Sequence, residues 1–457
     1  MDDRHDDLDS WLTERLEPLY PPPGTFEAIK RRARRRKYRK LAVAAGSAAV
    51  AVAAAVTVPQ MVNLTVQTPP STGLAVGHQA PVSPRTGPGI PESSSSGLPF
   101  PGQPGAPVPP DFRPTSVTFV GPETGWVIGQ AGTPGHCATQ YCTSVARTDD
   151  AGDTWTGVPA PLTGPADGAT GVSQIRFLDL ADGWAFGPEL WATHDGGQTW
   201  AQVNTNGLRV TDLETVGDRA FALFASCAGG GSAFAVPCTS FTLYSSPAQA
   251  DDWTPVGAPT SGLTDAGQYG SASLTLTETR GYLLAPDGTL YSGPVDGSAA
   301  WQPVGQIPCW GTVGQAQADG QPAGALFGAE TAENLILACT PNAVPGGLQK
   351  KLIFTSADGG ASWHLIALAP AWGVATSLAA SQAETAILGT DQGIDVLPAG
   401  STAWQQLTLT GAPAGGFAFV GMTTGDQGVA LPAEPDGTVW FTFDGGQSWA
   451  PSAVSGA

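Results

Sequence analysis

Six cysteines are the residues with the most definite chemistry in this 457-residue chain. They are Cys137, Cys142, Cys227, Cys238, Cys309 and Cys339, and all of them follow the apolar segment 41–58. An even number of cysteines in that position favours disulfides in an oxidising compartment. Proximity in the chain favours the pairs 137–142, 227–238 and 309–339, although other pairings remain open. A zinc site would need closer cysteine pairs with histidine partners, and only His136 adjoins a cysteine.

Residues that could form a catalytic centre are scattered. A sialidase-type glycoside hydrolase needs clustered arginines, a tyrosine nucleophile and two acids, but residues 112–457 contain only six dispersed arginines. No HExxH, GxSxG, phosphate-binding loop or dinucleotide-binding pattern occurs. The sequence therefore predicts no catalytic residue, metal ligand or cofactor. Calcium stays open as an alternative because carboxylates are abundant, although the D-x-[DN]-x-[DN]-G spacing is absent.

Charge is distributed unevenly along the chain. Residues 1–40 carry 11 Lys/Arg and 8 Asp/Glu, whereas residues 111–457 carry 8 Lys/Arg and 30 Asp/Glu, a net charge of −22. Nucleic acid binding requires clustered cations at the phosphates, and the acidic part offers only Lys350-Lys351, which we expect to be solvated. Nucleic acid is therefore excluded as a partner of this part.

The N-terminal part has the pattern of a membrane anchor. Nine of the eleven residues 30–40 are basic, and residues 41–58 form an uncharged run of 18 residues that Pro59 ends. As a helix that run would be about 27 Å long, close to the thickness of a hydrocarbon core. Basic residues beside an apolar span stay in the cytoplasm, so we expect a single-pass plasma membrane protein with an extracellular C-terminal part. A cleaved signal peptide is the alternative.

The predicted domains follow from these boundaries. Residues 1–40 are a cytoplasmic tail whose residues 5–20 have the apolar spacing of a short amphipathic helix. Residues 41–59 are the transmembrane helix, and residues 60–111, rich in Pro, Ser, Gly and Thr, are a disordered linker. Residues 112–457 are the extracellular domain.

A tryptophan repeat predicts the fold of residues 112–457. It comprises Trp155, Trp200, Trp253, Trp301, Trp363, Trp404 and Trp449, at spacings of 45, 53, 48, 62, 41 and 45. Each unit has alternating apolar runs that indicate four short strands joined by glycine-rich turns. Seven units of this kind predict an all-β fold, a seven-bladed β-propeller with four-stranded blades.

Four units share the pattern [ST]-x-D-x-G-x-[ST]-W. The matching segments are TDDAGDTW (148–155), THDGGQTW (193–200), SADGGASW (356–363) and TFDGGQSW (442–449). In such a turn the aspartate accepts backbone N–H groups, the glycine supplies positive φ and the tryptophan packs between sheets. The structural residues are Asp150, Gly152 and Trp155, Asp195, Gly197 and Trp200, Asp358, Gly360 and Trp363, and Asp444, Gly446 and Trp449.

This pattern resembles the Asp-box, or BNR, repeat of sialidase-like propellers. With FVGPETGWVIG (119–129) and FLDLADGWAFG (177–187), the chain is most similar to the photosystem II assembly-factor type of that superfamily. The resemblance implies that the four boxes are structural and lie on the face opposite the ligand site. Assembly factors of that type use a basic patch for their partner, and this acidic domain has none.

The longest connections indicate a second, more elaborate face. Residues 131–142, 226–239, 305–323 and 339–350 join second to third strands or one blade to the next, and the six cysteines lie in or beside them. Two candidate binding residues, Tyr141 and Trp310, are aromatic residues of these connections. The other two candidates, Tyr269 and Trp372, lie in two further connections between units. We expect a binding or assembly module for a protein or a cell-envelope glycan. A glycoside hydrolase and an envelope sensor that signals through the cytoplasmic tail are the alternatives.

Overall fold

Seven four-stranded antiparallel sheets form the part of the chain that the structure describes. The structure is a computed structural model, and it describes residues 107–133, 136–167, 170–227, 238–256, 272–310, 324–340, 347–381 and 385–455. Each sheet is one blade, and consecutive strands lie side by side from the centre of the ring outward. The predicted seven-bladed β-propeller with four-stranded blades is confirmed.

The first three blades contain fourteen strands, because blade one carries an extra two-stranded hairpin, β3 and β4. Blade one consists of β1 (Arg113–Phe119), β2 (Gly125–Gln130), β3 (Gly132–Thr133), β4 (His136–Cys137), β5 (Thr143–Thr148) and β6 (Thr156–Val158). Blade two consists of β7 (Gln174–Phe177), β8 (Gly183–Phe186), β9 (Leu190–Thr193) and β10 (Ala201–Gln202). Blade three consists of β11 (Arg209–Val216), β12 (Arg219–Cys227), β13 (Cys238–Pro247) and β14 (Thr254–Pro255).

The last four blades contain four strands each. Blade four consists of β15 (Ser273–Leu276), β16 (Arg280–Leu284), β17 (Thr289–Pro294) and β18 (Gln302–Gln306), and a 3-10 helix, Pro308–Trp310, follows it. Blade five consists of β19 (Gly324–Ala329), β20 (Leu335–Thr340), β21 (Lys351–Ser356) and β22 (His364–Ala369). Blade six consists of β23 (Ala375–Ala380), β24 (Ala386–Thr390), β25 (Gly393–Leu397) and β26 (Gln405–Gln406). Blade seven consists of β27 (Phe417–Met422), β28 (Gly428–Pro432), β29 (Thr438–Thr442) and β30 (Ala450–Ala453).

The core is divided among the interfaces between blades. The described residues form seven apolar clusters, and each cluster joins two neighbouring sheets. Between blades one and two, for example, the Trp126 ring stacks on Phe177 with centroids 3.8 Å apart, and its indole N–H donates to Gly196 O. A sheet that buries both faces needs a neighbour on each side, so the apolar content of these strands requires a closed ring.

Blade seven packs against blade one and closes the ring. Trp155 of blade one and Phe441 of blade seven belong to one buried cluster, which also contains Val108, Phe112 and Val454. All four strands of blade seven come from the C-terminal end of the chain, as the repeat phase predicts. Val108 lies within the linker predicted over 60–111, so the packed part of the chain begins before residue 112.

Innermost strands are also joined by a recurring hydrogen bond. Ser116, Asp212 and Ser377 each follow a register shift in their strand and accept the N–H of a residue in the next blade. The donors are the backbone N–H groups of Ile175, Leu274 and Val420. A β-bulge redirects the side chain that follows it, so a polar group reaches the adjacent blade. Asp212 places a carboxylate where blades one and six use a serine.

The predicted cytoplasmic tail, transmembrane helix and most of the linker lie outside the described residues. Within the described ranges, the structure contains no helix with the length and apolarity needed to cross a membrane. The anchor over residues 41–58 stays a prediction.

Ring closure makes Gly152 sensitive to substitution. Gly152 has φ +83° in the turn between β5 and β6, and a Cβ there would overlap the ring of Phe441, a residue that is 2% exposed. Gly207 has φ +81° with nothing within 4 Å, so it provides the control. We expect Gly207→Ala to cost about 1 kcal/mol through backbone strain. Gly152→Ala should cost about 2 kcal/mol more through overpacking. Urea unfolding checks this, and equal losses would contradict it.

Candidate functional site

Four of the turns between third and fourth strands share one hydrogen-bond pattern. In the first of them, the Asp150 carboxylate accepts the Thr154 N–H at 2.8 Å and the Thr148 hydroxyl at 2.9 Å. The Gly152 N–H in turn donates to the Thr148 hydroxyl at 2.9 Å. The same bonds recur around Asp195, Asp358 and Asp444. These carboxylates hold the turns that the sequence pattern predicts.

The pKa shifts agree with this role. Hydrogen bonds from the Ser362 hydroxyl and N–H and from the Ser356 hydroxyl lower the pKa of Asp358 to about 2. Burial acts to raise the pKa of Asp195, but bonds from Thr199 and Thr193 outweigh it and lower the pKa. A carboxyl group held in its ionised form cannot donate a proton at neutral pH, so neither aspartate has the properties of a general acid.

The three disulfides that chain proximity favours are present. Their Cα–Cα distances are 4.6 Å for Cys137–Cys142, 3.8 Å for Cys227–Cys238 and 5.3 Å for Cys309–Cys339. The first two brace connections between second and third strands. The third joins the 3-10 helix after blade four to β20 of blade five, so two blades are linked covalently on one face.

Three of the four predicted aromatic binding residues lie among the described residues. Tyr141 is 39% exposed in blade one, and Trp372 is 49% exposed between blades five and six. Trp310 ends the 3-10 helix, and Tyr269 lies outside the described residues. Their role in binding stays a prediction.

A cavity of about 590 Å³ opens instead on the opposite face of the ring, the face that carries the D-x-G turns, whereas the resemblance implies a ligand site on the other face. Turns between first and second strands surround it, and they come from blades three to seven. Its lining contains the apolar Leu276, Ala329 and Met422 together with residues that carry hydroxyls and carboxylates, which we call its polar rim. The polar rim residues are Thr277, Glu278, Thr279, Glu330, Thr331, Glu333, Ser381, Thr423 and Thr424. No basic residue is among the described residues that line this cavity. We call it the channel-mouth cavity.

The sequence pattern does not reveal this cavity, although the turns of blades four, five and seven have a polar signal. The turn segments LTET, AETAE and MTTG all place threonine or glutamate directly after an innermost strand. Only the closed ring shows that these turns face one another, because they are far apart in the chain.

A second charged group lies on the innermost strands. Arg176 of β7 donates to the Glu214 carboxylate of β11 at 3.1 Å, and Asp212 lies two residues away from Glu214. The Asp212 carboxylate accepts N–H groups of Leu274 and Leu213 at 2.8 and 2.9 Å. Burial, with a further contribution from Glu214, raises the pKa of Asp212 to about 7 despite those bonds. Since both its oxygens bind backbone N–H groups, Asp212 is primarily a link between blades three and four.

Lys351 corrects the expectation that the Lys350-Lys351 pair is solvated. Lys350 is exposed, but Lys351 is fully buried, and its ammonium group donates to Pro370 O and Trp372 O at 2.6 and 3.2 Å. Burial lowers the pKa of Lys351 and raises the pKa of Asp395, across the interface of blades five and six, to about 6. The interaction between the two charges opposes both shifts.

His194 bridges two turns on the face of the channel-mouth cavity. Its ring nitrogens lie 2.8 Å from Asp182 Oδ1 and 3.0 Å from Asp251 Oδ2, and Asp251 also accepts the indole N–H of Trp184. Burial lowers the pKa of His194, but the bonds and charges of the two aspartates outweigh burial and raise the pKa. The contact joins blade two to blade three.

Five of the six arginines in residues 112–457 bind groups of the domain itself: Arg113 binds Gly132 O, Arg147 binds Asp149, Arg176 binds Glu214, Arg219 binds Ser245 and Arg280 binds Ser292. Within the described ranges, no group of three His, Cys, Asp or Glu side chains is placed to hold a metal ion.

Comparison with known proteins gives structural similarity only. No protein-family model matches the chain, and no curated protein sequence matches it. The solved structure of YCF48 bound to D1 peptide is similar with a TM-score of 0.48 at 15% identity, covering 76% of this chain and 99% of that one. YCF48 from Cyanidioschyzon merolae has a TM-score of 0.43 at 15% identity and covers 65% and 88% of the two chains. The Niastella koreensis GH74 enzyme has a TM-score of 0.36 at 12% identity and covers 75% and 66%. The blade count rests on the strand topology of this chain itself.

Asp212 should make stability depend on pH. The pKa of Asp212 is higher in the folded chain than in the unfolded chain. Its contribution to the free energy of unfolding is therefore fully present below the unfolded pKa near 4 and is lost as pH rises to the folded pKa of about 7. Asp212→Asn keeps an acceptor for the Leu274 N–H and cannot ionise. As pH rises from 4 to 7, we expect the parent to lose on the order of 3 kcal/mol of stability relative to the variant, measured by urea unfolding at each pH. The exposed Asp252→Asn is the control, and parallel curves for Asp212→Asn and the parent would refute the prediction.

His194 should act over a higher pH range. Its raised pKa means that its contribution is complete below the ordinary value of 6.5 and is lost as pH rises through the folded value. The side chain is 39% exposed and solvent screens it, so we expect a loss below about 1 kcal/mol. His194→Asn should abolish this fall of the unfolding free energy with pH in the same series of urea unfolding measurements. The exposed His364→Asn should leave it unchanged, and a slope that survives in His194→Asn would contradict the assignment.

Proposed function

We propose that the chain is a membrane-anchored extracytoplasmic binding and assembly module for a protein or a cell-envelope glycan. The single observation that carries the binding role is the channel-mouth cavity, which is concave, polar and acidic, with no basic residue in its described lining. Acidic and hydroxyl groups around a concave surface recognise a cationic group by charge-assisted hydrogen bonds. The bound group is therefore an ammonium or guanidinium, carried by a protein side chain or an amino sugar.

The anchoring part of the proposal has its own support. The basic run 30–40 and the uncharged run 41–58 have the composition of a cytoplasmic flank and a membrane span. The three disulfides suit an oxidising environment outside the cytoplasm. We also infer that the four D-x-G turns are Asp-boxes, because their hydrogen bonds repeat in all four blades that carry the pattern.

A binding role fits the cavity better than catalysis. The rim carboxylates Glu278 and Glu333 are exposed, whereas the carboxyl group with a pKa near 7, Asp212, is not among the lining residues and has backbone partners. Catalysis by a pair of carboxyl groups needs one of them in its protonated form at the substrate.

The test is a titration of the full-length chain with three probes: a hexalysine peptide, a glucosamine hexamer and the neutral N-acetylated hexamer. We expect one cationic probe to bind and the neutral sugar to bind less. Glu278→Gln with Glu333→Gln should weaken that binding about tenfold. The control Glu434→Gln with Asp252→Asn removes the same charge outside the cavity and should change it less than twofold.

The three possible outcomes are distinct. Binding of the peptide alone assigns a protein partner, and binding of the amino sugar alone assigns a glycan. Equal weakening in the cavity variant and the control would show that only the overall acidity of residues 111–457, with a net charge of −22, attracts the probes, which overturns the assignment to this cavity.

A further inference from the structure

The outer strand of blade five differs from the outer strands of the other six blades. Those six have two to five residues, and their sequences are TGV, AQ, TP, QPVGQ, QQ and APSA. Strand β22 has six residues, HLIALA, with no proline and no carboxylate or lysine. It is the last strand of its sheet, so one row of its main-chain N–H and C=O groups has no neighbouring strand among the described residues.

Two leucines of β22 expose their side chains on the same face of the sheet. Leu365 is 56% exposed and Leu368 is 59% exposed. They lie opposite Phe354 and Leu352 of β21, which are two residues apart and belong to one buried cluster. A register shift between β21 and β22 places both leucines on the face of the sheet that this cluster occupies. No other outer strand in the described part of the chain exposes a large apolar side chain.

The apolar edge continues beyond the strand. Leu348, 41% exposed, and Trp372, 49% exposed, form a further antiparallel bridge of the same ladder. The Gln349 N–H donates to Ala371 O between that bridge and β21. We call Leu348, Leu365, Leu368 and Trp372, together with the free edge of β22, the blade-five edge. It contains four of the seven large apolar residues that are exposed among the described residues.

Native sheets normally protect such an edge. Short strands, proline and charged side chains prevent unwanted pairing, and the other six outer strands are short or are interrupted by proline. Since the same chain applies that protection to six blades and omits it in one, we propose that the blade-five edge binds an extended segment of another polypeptide as a fifth strand. Main-chain hydrogen bonds would supply affinity, and the exposed leucines would select apolar side chains at alternate positions.

Charge defines the partner further. Lys350 is exposed beside the edge, and the only other lysine in residues 111–457 is the buried Lys351. The Lys350 ammonium beside the edge favours a segment that carries a carboxylate next to its apolar strand, since the two charges would meet at short range. The same net charge opposes pairing of two copies through this edge, because both copies would carry it.

The test uses a fluorescent peptide of about eight residues that alternates valine and threonine and ends in glutamate, with the full-length chain. We expect saturable anisotropy changes and slower amide hydrogen exchange in β22. Leu365→Lys with Leu368→Lys should weaken binding about tenfold, whereas the control Leu162→Lys with Leu180→Lys, at exposed leucines elsewhere, should change it less than twofold. Lys350→Glu should weaken binding of the glutamate peptide more than that of its glutamine counterpart.

A peptide methylated on alternate backbone nitrogens separates strand addition from simple apolar contact, since it keeps the side chains and loses the donors. Equal binding of the methylated peptide, or unchanged exchange in β22 at about 1 mM peptide, would overturn the proposal. A dimer in sedimentation experiments that Leu368→Lys abolishes would also overturn it, in favour of a second copy. Binding at the channel-mouth cavity is scored separately with the Glu278→Gln and Glu333→Gln variants.

Discussion

Burial of both faces of every sheet is the constraint on which this structure depends. Each blade presents apolar side chains to two neighbours, and the seven clusters between blades exhaust those faces only when the last blade meets the first. That closure uses side-chain packing, with Val108 and Phe112 ahead of β1 and Val454 after β30 buried in the same cluster. The Ser452 hydroxyl of blade seven also donates to Gly152 O of blade one, and Gln427 donates to Pro122 O at 2.9 Å.

Polar groups on the innermost strands serve the same closure. Bulges direct Ser116, Asp212 and Ser377 toward N–H groups of the next blade, so those donors are satisfied near the axis. Where the acceptor is a carboxylate, burial makes it titrate near neutrality. A perturbed pKa in this molecule therefore has a structural cause, and it does not by itself identify a catalytic acid.

The two faces of the ring have different properties. The face with the long connections is braced by three disulfides. The opposite face collects short turns that contain threonine and glutamate around the channel mouth. Blade five adds a third kind of surface, an apolar outer edge next to the covalent link between blades four and five. A rigid ring can present these surfaces independently because each blade contacts mainly its neighbours.

The sequence by itself determined the blade count, the strands per blade and the local geometry of the D-x-G turns, and it favoured the three disulfide pairs without excluding other pairings. These features depend on residues close together in the chain, such as Asp150 with Thr148 and Thr154, or Cys137 with Cys142. Only the tertiary structure decided the rest. The channel-mouth cavity joins turns from five blades, Lys351 is buried although its neighbour Lys350 is exposed, and one register shift places Leu365 and Leu368 on one face. The physical reason is that periodicity records which face of a strand is apolar, whereas the radius of a closed ring and the bulges in its strands set which distant side chains meet.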